Sequence, residues 1–167
     1  MTHFTLREWT MADLTALVEH ANDPTVADNL TDAFPHPYTV EHGKAFLARF
    51  MGQDPQLVLA IDVDGAAVGA VGIHPQSDVY RRNAELGYWI AKAFRGKGIM
   101  TESVKQATTR AFDILPDIHR VFARPYGSNT ASQRVLEKAG FILEARMHGT
   151  FLKNGRVEDE LIYAIRR

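Results

Sequence analysis

The stretch from residue 84 to 116 restricts the fold more than any other. An apolar, strand-like run, "AELGYWIA", leads into "FRGKG", two glycines around a lysine, and then into a long helical period. Met100, Val104, Ala107, Thr108, Ala111, Phe112 and Leu115 fall on one stripe of a helix, which Pro116 stops. "HRVFARPY" at 119–126 reads as the next strand. Strand, helix and strand in this order form a crossover that lays two strands parallel in one sheet.

Around that crossover the pattern is mostly antiparallel. "FTLREW" (4–9) alternates as a strand, and Thr10 with Asp13 reads as a capping box that opens a helix carrying Leu14, Leu17, Val18 and Ala21. Residues 22–38 read as a loop, interrupted by Pro24, Pro35 and Pro37. Thr39 caps a second helix with Phe46, Leu47, Phe50 and Met51 on one side. Strands at 56–62 and 66–74 meet at Asp64-Gly65, a hairpin signal, and two closing strands meet at Asn154-Gly155, suited to a type I′ turn. Between them "SNTASQRVLEKAG" is a short helix, with Asn129 or Thr130 as its cap, Thr130 and Gln133 as a capping box, and Gly140 as its stop. The expectation is one domain over residues 1–167 of the α/β class (α+β type): a mixed, mostly antiparallel sheet of six to seven strands with about four helices.

A glycine-rich turn between a strand and a helix suits an anion. Glycines let consecutive N–H groups converge on an oxyanion, and the helix N-terminus adds partial positive charge. The alternative is a tight turn that needs positive φ, with Arg95 and Lys97 merely solvated. Two familiar phosphate loops do not fit. A Walker loop requires glycine at 91 and Ser or Thr at 98, where Ala91 and Gly98 stand, and the dinucleotide fingerprint requires a small residue at 101, where Thr101 stands.

Composition removes further classes. Nineteen basic residues against 20 acidic ones, a net charge of -1, give no field that recruits nucleic acid or an anionic membrane. There is no cysteine, so thiolate nucleophiles and cysteine-ligated zinc are excluded. The seven histidines are scattered without metal-ligand spacing, so no metal is expected. "MTHFTLREW" lacks the apolar core of a signal peptide and no stretch is long enough to span a bilayer, so a cytoplasmic protein is expected.

Arg95-Gly96-Lys97-Gly98-Ile99-Met100 resembles the pyrophosphate-binding motif [Q/R]-x-x-G-x-[G/A] of the GNAT superfamily, with Met100 in place of the small final residue. "FPHPYT", "AELGYWI", "GKGIMTESV" and "NTASQRVLEKAGF", in this order, resemble the branch that includes the RimJ and RimL protein N-terminal acetyltransferases. The resemblance implies the GNAT fold with a central βαβ cofactor site. It implies acetyl transfer from acetyl-coenzyme A to a primary amine, either a small molecule or a peptide N-terminus, by direct attack in a ternary complex. The alternative is an acyl-coenzyme A-binding sensor or scaffold without turnover. Relatives join subunits through the final strands, so a homodimer is compatible with it.

The resemblance also distributes roles. Arg95, Gly96, Lys97, Gly98, Ile99, Met100 and Thr101 hold the diphosphate, and Trp89, Ile90 and Ala91 contact the pantetheine arm through the main chain, where Gly87 permits a bend. Phe34, Pro35 and Tyr38 line the acceptor side, with Phe151 on an opposite wall; such aromatic residues alternatively plug the core. Ser132 hydrogen-bonds the departing thiolate, with Tyr126 as the alternative donor in its place, and Asn129 binds the pantetheine chain, caps its helix, or does both.

Glu85 is the candidate base on physical grounds, because an ammonium must lose a proton before it can attack a thioester. It shares a strand face with Gly87 and Trp89, and a glutamate in an apolar strand is costly without a purpose. Its alternatives are an exposed carboxylate or a structural pair with Arg81 or Arg82.

Overall fold

The computed structural model describes residues 2–167. The chain packs as two compact units. Among the described residues, one is built from residues 2–72 and Tyr88–Ser103, the other from Ile73–Gly87 and Val104–Arg167.

In the first unit, β1 (Thr5–Arg7) leads through a 3-10 turn, Met11–Asp13, into α1 (Leu14–Ala21). The expected capping box is present. The Asp13 carboxylate accepts from the Thr10 N–H at 2.8 Å, which satisfies a donor that a helix start leaves open. Residues 22–38 are not all loop: Asp23 caps a one-turn helix, α2 (Pro24–Ala27), with proline at the first position, where its missing N–H removes no bond. This is the helix beyond the four that periodicity suggests, and four residues are too few to show a period. After α3 (Val40–Phe50), capped by Thr39, come β2 (Val58–Val63) and β3 (Ala66–Pro75).

β1 pairs antiparallel with β2, and β2 with β3. Asp64 (φ 53°) and Gly65 (φ 85°) make the turn between β2 and β3 left-handed at both central positions. The core gathers Trp9, Leu17, Ala21, Tyr38, Leu47, Ala60, Ala67 and Ala70. Full burial of a leucine such as Leu17 or Leu47 contributes about 2 kcal/mol. Gly43 lets α3 approach α1, because a Cβ there would lie 2.8 Å from the Leu14 side chain and 2.9 Å from that of Val18.

β4 (Asn83–Ile90) begins in the second unit and ends in the first, and α4 (Ile99–Ile114) does the reverse. The predicted stripe of α4 is its buried face: Met100, Val104, Ala107, Thr108 and Ala111 are all buried, joined by Ile99 and Ser103. β5 (Arg120–Ala123) follows and pairs parallel with β4 through Asn83↔Arg120, Ala84↔Val121 and Glu85↔Phe122, which is the expected crossover. It is shorter than the run 119–126 suggests, and Pro125, without an N–H, lies beyond its end.

α5 (Thr130–Lys138) packs through Leu136 and ends near Gly140 (φ 92°). β6 (Ile142–Lys153) and β7 (Arg156–Arg166) form a long hairpin that turns at Asn154 (φ 50°) and Gly155 (φ 75°). β7 pairs antiparallel with β5. The seven strands stand in the order β1-β2-β3-β4-β5-β7-β6, within the expected six to seven.

Candidate active site

The first unit contains the glycine turn. β4 is fixed at its end by a bond from the Ala91 N–H to the Val68 carbonyl at 2.8 Å. Gly69 on β3 makes that approach feasible, since a Cβ there would lie 2.5 Å from the Trp89 carbonyl oxygen. A 3-10 turn, Lys92–Phe94, then carries the chain away from the strand, and the Arg95 Nε returns to the Ile90 carbonyl at 3.3 Å.

Gly96 (φ 74°) and Gly98 (φ 81°) are both left-handed, a conformation that costs a side-chain-bearing residue about 1–2 kcal/mol. A Cβ at either position would meet nothing within 4 Å. Backbone conformation, not crowding by the protein, therefore demands glycine here. α4 opens one residue later, and the N–H groups of its first turn have no acceptor within the helix. The side chains of Ile99 and Met100 are buried, so the methionine that departs from the small-residue motif is absorbed by the core. Lys97 Nζ stands 5.2 Å from the centre of the Phe94 ring, and Phe94 meets His20 edge-on at 6.2 Å. Two left-handed glycines with open space beside them, a helix N-terminus, and Arg95 and Lys97 form a set of the kind that fits a diphosphate.

The predicted acceptor-side residues are also in the first unit. Phe34 and Pro35 are half-buried, whereas Tyr38 is 4% exposed and belongs to the core. Burial pushes the Tyr38 phenol up to about 12. Phe34 lies 5.2 Å from Tyr38 and 6.2 Å from Trp89, ring centre to ring centre, and packs against the core with Trp89. Plugging the core accounts for the buried placement of Tyr38.

Glu85, Asn129, Ser132 and Tyr126 belong to the second unit. Glu85 is half-buried and paired, but with Arg124 rather than Arg81 or Arg82. Arg124 Nε donates to Oε1 at 3.0 Å and Nη2 to Oε2 at 3.2 Å. Its remaining nitrogen, Nη1, lies 3.5 Å from Glu160 Oε1. The bonds from Arg124 to Glu85, reinforced by the charges of both glutamates, hold the guanidinium above its ordinary range against the opposing effect of burial.

Asn129 caps α5 by accepting from the Ser132 N–H at 3.1 Å. The Thr130–Gln133 capping box does not form; the Gln133 amide donates instead to the carbonyls of Tyr126 (3.1 Å) and Gly127 (3.0 Å). Those bonds tie the start of α5 to the turn before it. The rings of Tyr126 and Phe151 lie 4.5 Å apart, centre to centre, at a tilt of 48°, so the expected wall residue and the alternative donor are in contact. Gly87 has room, because a Cβ there would approach His74 only to 3.8 Å.

Arg124, Glu160 and Gly127 escape sequence reasoning. Gly127 donates to the Asp159 carbonyl at 2.8 Å, and a Cβ there would lie 2.9 Å from the Asp159 Cβ. The available signals are Pro125, which follows Arg124 just beyond the end of β5, and the acidic run Glu158-Asp159-Glu160 inside a strand. Among the described residues, no group of three or more histidines and carboxylates is gathered as a metal site requires, and no helix is long and apolar enough to cross a membrane.

The family model for the acetyltransferase (GNAT) domain matches residues 3–142, so the chain belongs to the GNAT acetyltransferase family. A Bacillus subtilis (strain 168) protein with the name "Putative ribosomal N-acetyltransferase YdaF" is 36% identical over 102 residues, 61% of this chain and 55% of that protein. The chain thus spans about half the length of that curated relative. Two solved structures share the fold. RimL, the ribosomal L7/L12 alpha-N-protein acetyltransferase in complex with coenzyme A, matches with a TM-score of 0.82 at 21% identity, over 99% of this chain and 95% of that one. The Vibrio cholerae spermidine N-acetyltransferase in complex with coenzyme A and spermine matches with a TM-score of 0.80 at 22% identity, over 99% and 96%.

Proposed function

We propose that this chain transfers an acetyl group from acetyl-coenzyme A to a primary amine, in a cytoplasmic setting and by direct attack. The observation that carries the reading is the turn at Gly96–Gly98. Two left-handed glycines, with no protein atom where their side chains would be, precede the open N-terminus of a 16-residue helix in a chain of the GNAT family. Amides from Gly96 to Thr101, with Arg95 and Lys97, would hold the diphosphate of the cosubstrate. Main-chain groups of Trp89, Ile90 and Ala91 would meet its pantetheine arm.

Bound acetyl-coenzyme A supplies an activated acyl carbon, so the chain's own residues have the acceptor and the departing charge to manage. Glu85 takes the proton from the acceptor ammonium. Asn129 orients the pantetheine amide while it caps α5, and the Ser132 hydroxyl, or the Tyr126 hydroxyl in its place, gives a hydrogen bond to the developing thiolate. Phe34 and Pro35 supply apolar surface to the acceptor. The acceptor class is a primary amine. The names of the relatives span ribosomal proteins and spermidine, and the likeness to the "Putative ribosomal N-acetyltransferase YdaF" favours a ribosomal acceptor.

One observation favours a second reading, an acyl-coenzyme A-binding module without turnover: both oxygens of Glu85 already accept from Arg124. Free-thiol release from acetyl-coenzyme A, followed with a panel of N-terminal peptides, polyamines and amino sugars, separates the two. The transferase reading expects release that depends on the acceptor. Coenzyme A binding without such release favours the module.

A further inference from the structure

Arg124 brings together carboxylates that stand 75 positions apart in the chain, Glu85 on β4 and Glu160 on β7. The two contacts are unequal. Glu85 is held through both oxygens at 3.0 and 3.2 Å, whereas Glu160 touches one nitrogen at 3.5 Å. Nor is the cluster sealed from solvent, with side-chain exposures of 47% for Arg124, 30% for Glu85 and 19% for Glu160.

A fork of two parallel N–H···O bonds fixes a carboxylate's orientation, but it also opposes protonation of that carboxylate. A second anion on the same guanidinium weakens this opposition and gives the cation a partner when the first carboxylate becomes neutral. Two carboxylates and one guanidinium sum to one negative charge, which a single incoming proton cancels.

We propose that Arg124 is a positioning residue that aims Glu85 for proton transfer, and that Glu160 is the counter-charge that keeps Arg124 paired once Glu85 is protonated. The proposal rests on the transferase reading with Glu85 as base. In the step, an N–H bond of the acceptor ammonium breaks, its electron pair stays on nitrogen, and the proton joins a Glu85 oxygen. Glu85 becomes neutral, and the Arg124–Glu160 pair remains.

Other charged or titratable groups around Glu85 are engaged elsewhere or further along the strand. Arg120 on β5 donates to Asn83 at 2.9 Å and to Glu144 at 2.6 Å. His74 on β3 approaches Gly87, two residues beyond Glu85. Tyr126 bridges to Glu160 through the main chain, and its ring packs at a tilt against Phe151.

Carbon-detected NMR titration of the Glu85 carboxyl in the full chain tests the proposal, with acceptor-dependent kcat/KM measured over the same pH range. Arg124→Gln should move the Glu85 midpoint to higher pH and Glu160→Gln should move it to lower pH. The acid limb of kcat/KM should follow in each case. At neutral pH, Arg124→Gln should lower kcat about tenfold with unchanged coenzyme A affinity, and Arg124→Lys, which restores the charge but not the two-bond fork, should recover only a small part of that loss.

Midpoints that stay put, or that move in the same direction in both variants, overturn the proposal. If Arg124→Gln does not fold, the sign of the Glu160→Gln shift decides alone. Wild-type protein that binds coenzyme A but releases no thiol with any amine would overturn the transferase reading instead. In that event the NMR midpoints still decide whether Arg124 and Glu160 govern the charge on Glu85.

Discussion

Two clusters in this chain share a design, one arginine that holds one carboxylate through both oxygens and a second through one, and they differ in burial and in the length of their contacts. Arg7 holds Asp13 through both oxygens at 2.7 and 2.8 Å and Asp62 at 2.7 Å, with Asp13 and Asp62 only 5% and 9% exposed. It joins β1, the turn into α1, and β2, and Asp13 and Asp62 also accept from the backbone at Thr10 and Gly65. Arg124 instead has contacts of 3.0 to 3.5 Å, and nearly half of its side chain is exposed. Dense, buried and multiply bonded charge specifies a structure, since any disruption strands an ion. Loose, half-exposed charge can change protonation state without that penalty, which is what a base requires.

The sharpest way to break this contrast is to neutralise one carboxylate in each cluster. Glu85→Gln should lower acceptor-dependent kcat about a hundredfold while melting temperature and coenzyme A affinity stay at wild-type values. A loss of stability with intact turnover would make Glu85 a structural residue like Asp13.

Asp13→Asn should do the converse, costing about 2 kcal/mol of unfolding free energy at neutral pH with turnover per folded molecule unchanged. Burial alone would raise the Asp13 carboxyl; the bonds from Arg7 and Thr10 outweigh it and hold the group below the ordinary aspartate range. A depressed folded value places that stabilisation above the unfolded pKa and removes it as pH falls through the folded one. Wild-type protein should therefore lose stability below about pH 4 more steeply than Asp13→Asn, as denaturant melts at stepped pH would show.

A third variant separates both clusters from the glycine turn. Gly98→Ala forces a side-chain-bearing residue to φ 81° without any clash, so the expected effect is a strained or rearranged turn, with coenzyme A affinity about tenfold weaker and the core intact. Calorimetry on a variant that melts like the wild type checks this. Unchanged affinity would detach the turn from cofactor binding.

The contrast also explains what the sequence made legible. Features written in local order were readable: the stripe of α4 from Met100 to Ala111, the hairpin turns at Asp64-Gly65 and Asn154-Gly155, and the glycines whose left-handed backbone the turn requires. Each depends on neighbours a few residues away. Arg124 reaching back 39 positions to Glu85, and Gly127 yielding space to Asp159, depend on strand pairing that no local pattern encodes. Tyr38 shows the same limit from the other side. An aromatic residue in a proline-rich loop reads equally well as lip or core, and only its packing with Phe34 in the cluster that includes Leu47 places it in the core.

The claim beneath all of this is that amides around Gly98, at the start of α4, grip a diphosphate. Isothermal calorimetry of the wild-type chain with coenzyme A and, separately, with pantetheine, which lacks that group, tests it most directly. The account predicts saturable heat with coenzyme A and far weaker binding of pantetheine. Equal affinity for the two, or no heat with either, would contradict it.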